Sequence, residues 1–158
     1  MGKHFGEEKM ALPLNESIAR QKQLRTLRND DIIAARADLL APEDRDLIKA
    51  VVINGQSAEM IARIAGVRGS TLRKRVRKLL KRINSPDFID TARILPLLNP
   101  TQLAVAKAHI LQGKSIRAVA SETNLSYHTV RKTLTQVRAI AAGVKNLKKN
   151  YPSLIGSN

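Results

Sequence analysis

The sequence predicts an all-α protein: two tandem helix-turn-helix units preceded by an N-terminal helical segment. Three observations carry that expectation. First, a shift of 58 positions lays one stretch of the chain on another without a gap, taking Pro42 onto Pro100, Lys49 onto Lys107, Gly55 onto Gly113 and Ser57 onto Ser115. The same shift takes Ala62 onto Ala120, Thr71 onto Thr129, Arg73 onto Arg131 and Lys74 onto Lys132. A glycine, a helix start and a core stripe kept in one register mark a single supersecondary unit used twice. Second, apolar residues in both copies (Leu72, Val76 and Leu79; Val130, Leu134 and Val137) recur at helical spacing. Third, Lys+Arg number 28 against 13 Asp+Glu, a net of +15, and the excess follows the repeat. Residues 1–41 are near neutral, whereas 42–83 carry 11 basic side chains against 4 acidic and 84–158 carry 10 against 3.

Taken in order, residues 1–13 read as a disordered N-terminus. The segment 14–41 reads as helix from Asn15 to Leu40, with a break expected near Asn29-Asp30-Asp31, where a new N-cap is on offer. Its apolar positions (Ile18, Leu24, Leu27, Ile32, Ile33, Leu39, Leu40) drift in spacing across that break. Two readings stay open there: a pair of helices covering the first unit, or an arm for homodimerisation.

The first unit spans 42–83, with Glu43 and Asp44 at its start complementing the helix dipole. Its final helix, from about Gly69, is densely basic without an acid, yet Leu72, Val76, Leu79 and Leu80 give it an apolar face. Residues 84–97 form a linker helix, started by Ser85-Pro86 and ended by Pro96. The second unit spans 98–143. Pro100 suits a first helical turn and Gly113 a C-terminal cap; Ile116–Thr123 is a short helix, and Asn124-Leu125-Ser126 breaks it. Ser126 then caps the final helix. The tail 144–158 is basic, read as one further helical turn followed by a frayed end.

Three short helices, a tight turn and a polar final helix make a unit that reads duplex DNA. Opposite the stripe of Val130, Leu134 and Val137 lie Tyr127, His128, Arg131, Lys132 and Thr135, rich in donors and free of acid. The corresponding run of cations in the first unit would repel itself unless phosphates lie nearby. Base-reading positions are therefore Ser70, Arg73 and Lys74 in the first unit and Tyr127, His128, Arg131, Lys132 and Thr135 in the second. Phosphate contacts fall to Arg68, Thr71, Arg75, Arg77, Lys78, Lys81, Arg82, Lys114, Ser115, Thr129 and Arg138. Phosphate contacts position a protein and base-edge contacts specify its site.

The string Leu125-Ser126-Tyr127-His128-Thr129-Val130-Arg131 resembles the recognition-helix start of LuxR-type regulators and of sigma-factor region four, where a capping Ser precedes two variable residues and Thr-Val-Lys/Arg. Gly113 with Ala120 is similar to the plasmid repressor KorA and the PapB-type fimbrial regulators. The resemblance covers residues 42–83 and 98–141. The first copy departs from it, with Arg68 at the capping position and Gly69 beside it, which implies a less rigid turn.

Other chemistry finds little to stand on. The chain has no cysteine, and His4, His109 and His128 share no metal-ligand spacing. Gly55 and Gly113 are isolated, so no phosphate-cradling loop is spelled out. An aromatic share of 3% argues against stacking on single strands. No apolar run approaches membrane-spanning length, and Met1–Met10 does not read as a signal peptide. The expectation is a cytoplasmic, nucleoid-associated transcriptional regulator that binds double-stranded DNA sequence-specifically, without cofactor, small-molecule ligand or enzymatic activity. A nucleoid-structuring or plasmid-partition protein of low sequence choice is the alternative. A sigma-like factor recruiting RNA polymerase comes third, since nothing here resembles a promoter-melting region with exposed aromatics.

Overall fold

A helix of 24 residues leads into two successive copies of one helical arrangement. The computed structural model describes residues 14–153, and among them every regular element is helical. The expected disordered stretch 1–13 and the end of the tail, 154–158, lie outside the described residues. Helix α1 is Leu14–Ala37, α2 Pro42–Ile48, α3 Ala58–Ile64, α4 Gly69–Ile83, α5 Pro86–Ile94, α6 Pro100–Ala106, α7 Ile116–Thr123 and α8 Tyr127–Asn150.

The shift of 58 positions carries α2 onto α6 end for end and the first residues of α3 and α4 onto those of α7 and α8. It also carries a π-helical turn, Lys49–Ile53, onto a second one, Lys107–Leu111. After each π turn the same long hydrogen bond closes the helix, Gln56 N–H to the Ala50 carbonyl at 2.9 Å and Lys114 N–H to the Ala108 carbonyl at 3.0 Å. Gly55 (φ 64°) and Gly113 (φ 73°) turn the chain between them, as their place after a helix end predicts. The π turns have no signature in the sequence.

Two expectations about the ends are corrected. Helix α1 passes through Asn29-Asp30-Asp31 without a break. Asn29 and Asp31 face solvent, where a short polar side chain costs a helix only a fraction of a kcal/mol. Nor do two helices cover the first copy: α1 packs through its last turns, burying Ile33 and Ala37 with Leu40 beyond, while Ile18, Leu24, Leu27 and Ile32 stay exposed. Arg36 to Asn84 (2.6 Å) and Lys49 to Asp38 (2.6 Å) tie that end down. At the other terminus α8 runs beyond the single further turn expected after Gly143 and continues to Asn150.

The two copies share one core. Phe88, Thr91 and Ile94 of α5 are fully buried, and the buried residues of both copies form one contiguous cluster. Helix α5 packs along α8, against the second π turn and against the end of α4. It runs in the same sense as α8, because Asp87 meets Arg138 and, one turn on, Asp90 meets Lys145. Arg82 of α4 reaches across to donate to the Gln112 carbonyl at 3.2 Å. It lies over Gly113, where a β-carbon would run into the guanidinium. The linker thus fixes one copy against the other, mainly by burial.

Candidate nucleic-acid interface

The final helix of each copy starts in the same way although the residues differ. In the second copy the Ser126 side chain accepts from Thr129 N–H at 3.0 Å and lies 2.8 Å from the Thr129 hydroxyl. Asn124 just before it takes the left-handed conformation (φ 54°), which Asn tolerates better than most residues. In the first copy Gly66 (φ 67°) takes that place, and Val67 N–H to Ala62 matches Leu125 N–H to Ala120 (2.9 and 3.1 Å). The turn expected to be less rigid follows the same path. Arg68 stands at the cap without a side-chain hydrogen bond.

Burial sorts the two faces as the apolar stripe predicts. Leu72, Val76, Leu79 and Ile83 of α4 are buried, as are Val130, Leu134, Val137 and Ala141 of α8. The opposite face of α4 exposes Ser70, Thr71, Lys74, Arg77, Lys78 and Lys81. None of these cations makes an ion pair among the described residues. On α8 the five residues expected from the sequence, Tyr127, His128, Arg131, Lys132 and Thr135, are all exposed, and Thr129, Gln136, Arg138 and Ala139 are exposed with them. The Thr135 hydroxyl donates to the Arg131 carbonyl at 3.1 Å.

Several expected phosphate contacts are engaged by the protein itself. Arg75 bonds Asp44 at 2.7 Å, with Glu43 at 3.6 Å, binding α4 to α2. Half-buried Arg82 spans the two copies. Arg138 makes a two-pronged pair with Asp87 at 3.3 and 3.0 Å. Hydrogen bonding to Asp87 raises the Arg138 pKa from its ordinary value, with burial working the other way. Lys114 is held by Glu122 at 2.8 Å, and Ser115 caps α7 by accepting from Ala118 N–H at 3.2 Å. His109, half-buried, has Nδ1 2.7 Å from the Lys114 carbonyl; a carbonyl only accepts, so that nitrogen carries the proton. Arg73 is not free either, being paired with Glu59 of α3.

Two residues escaped the sequence reading. Glu59 lies on α3 beside α4, and the shift places exposed Arg117 at the same position on α7. Arg117 makes no ion pair among the described residues and adds a cation beside α8. The repeat alone could have found both, because it aligns an acid with a base one helix away from the outer face. No family model, curated protein or solved structure matches this chain, so the reading of its chemistry rests on its own residues.

Proposed function

We propose that this chain is a sequence-specific double-stranded-DNA-binding transcriptional regulator that grips one duplex with the outer faces of α4 and α8. The observation that carries the reading is the doubled motif: one backbone unit built twice, each presenting a final helix whose outward side has cations and hydrogen-bond donors but no acid. The net charge of +15 suits a polyanion. On this reading Lys74, Arg77, Lys78, Lys81, Arg117 and Lys132 hold phosphates, and His128, Arg131 and Tyr127 meet base edges. Cytoplasmic, nucleoid-associated placement follows from the partner. The uncovered apolar residues of α1 (Ile18, Leu24, Leu27) support a second copy of the chain as a further partner.

A second reading, a coating protein of low sequence choice, draws on the face of α4, which is nearly pure charge. One experiment separates them: selection of bound fragments from random duplexes, then affinity for the selected site, for random duplex and for single strands at one stated salt concentration. The regulator reading expects the selected site to be preferred by about 10³-fold or more over random duplex. Equal affinity for both duplexes turns the case to the coating protein, and equal affinity for single strands sinks both.

A further inference from the structure

Three residues on two helices meet at the start of α4. Glu59, the second residue of α3, places its carboxylate on the Arg73 guanidinium. Gly69, the first residue of α4, makes room for the stem of that acid: a β-carbon there would stand 2.9 Å from Glu59 Cγ. The second copy builds the same backbone without any of this. Arg117, Tyr127 and Arg131 stand at the three matching positions, so the acid has become a base and the glycine an aromatic. The fold therefore does not require the pair. Stability gives it little reason either, since both partners are largely exposed (Arg73 52%, Glu59 62%) and exposed pairs contribute little.

A role in recognition accounts for the arrangement. A lone carboxylate beside a phosphate-facing helix weakens binding to every DNA, which is useful only where it sharpens choice. Arg73 sits on the side of α4 next to α3, and without a partner its long side chain would sweep many rotamers. Two of its five N–H donors suffice for a carboxylate, and others stay free for a base edge. An arginine held in this way can donate to guanine O6 and N7 together, a geometry a swinging side chain reaches only at an entropic cost.

We infer that Glu59 is a positioning residue that aims Arg73 at one guanine, so that the first copy also reads a base while its lysines hold phosphates. The inference rests on the DNA-binding reading above. In the second copy Arg131 works without such a buttress, with Arg117 at the position that matches Glu59, so its base preference is broader.

The test uses the full chain and the duplex obtained by selection, together with versions altered one base pair at a time beneath the first copy. Wild-type protein prefers guanine at one of these positions by about 10-fold, within the discrimination a two-pronged arginine gives. Glu59→Gln cuts that preference to less than about threefold and raises affinity for random duplex, with preferences beneath the second copy and the melting temperature unchanged. Glu59→Asp, keeping the charge on a shorter stem, recovers part of the preference, and Arg73→Lys removes it. If Glu59→Gln strengthens binding to all duplexes equally and leaves the guanine preference intact, the acid only dilutes charge and the inference falls. It falls too if no base preference depends on Arg73. Failure of the wild-type protein to prefer any site is a different result, and it overturns the regulator reading itself.

Discussion

The two copies follow one backbone path and carry different surfaces. Along the outer side of α4 run Ser70, Lys74, Arg77, Lys78 and Lys81; at the matching positions of α8 stand His128, Lys132, Thr135, Gln136 and Ala139. Four cations become one, and the vacated places take groups that donate, accept or are small. The flanks differ as well. The Arg75–Asp44 pair of the first copy is matched by Thr133 and Gln102, with Thr133 buried, and the strut Arg82 is matched by half-buried Ile140. What stays constant is the set the fold needs: the glycine after each π turn, the left-handed residue before each final helix, and the apolar stripe. The difference teaches that the copies diverged mainly on their surfaces, as expected if the first positions chiefly on phosphates, with Arg73 at one base, and the second reads bases with its varied face.

The largest effect tests whether the copies are one body. Phe88→Ala empties the centre of the shared α5 packing and should cost about 3–5 kcal/mol. Denaturation followed by circular dichroism should still show one transition, moved as a whole; two separated transitions would break the comparison into independent domains.

Next comes the asymmetry of the caps. Ser126→Ala removes a side-chain acceptor from the start of α8 and should cost about 1 kcal/mol. Arg68→Ala removes no cap bond and should be near neutral, whereas Arg68→Asp should stabilise α4 by about 0.5–1 kcal/mol. Equal costs for Ser126→Ala and Arg68→Ala in chemical denaturation would mean that the two helix starts are alike after all.

The smallest effects of single substitutions lie in the slope of the salt dependence. Wild-type affinity should fall about 10³–10⁵-fold between roughly 50 and 200 mM salt if six to ten phosphates are contacted. Lys74→Ala and Lys78→Ala should each reduce the slope of that dependence by about one, and Thr135→Ala should leave it unchanged. Arg75→Ala and Arg138→Ala probe residues bonded to acids, and a slope unchanged by either marks them as struts of the protein rather than phosphate contacts.

Much of this was legible in the sequence because the signals were local. Pro42, Pro86 and Pro100 begin helices, Ser115 and Ser126 cap them, and the stripe of α8 is buried as its spacing demands. Partners far along the chain were not legible. Asp87 meets Arg138 across 51 positions and Arg82 meets Gln112 across 30, so cations that looked free turn out to be engaged. Asn29-Asp30-Asp31 misled for the opposite reason: capping residues are equally at home on the exposed side of a continuing helix. The equivalence of Gly66 and Asn124 was hidden because two residue types satisfy one backbone angle.

The division of labour between the copies is tested most directly by measuring Arg131→Ala and Lys78→Ala on the selected duplex and on random duplex of equal length at one salt concentration. Arg131→Ala should lose about 1–3 kcal/mol on the selected site and almost nothing on random DNA. Lys78→Ala should weaken both by the same factor. Parallel losses for the two variants on both DNAs would contradict the account, leaving Arg131 of α8 no more a reader of sequence than the lysines of α4.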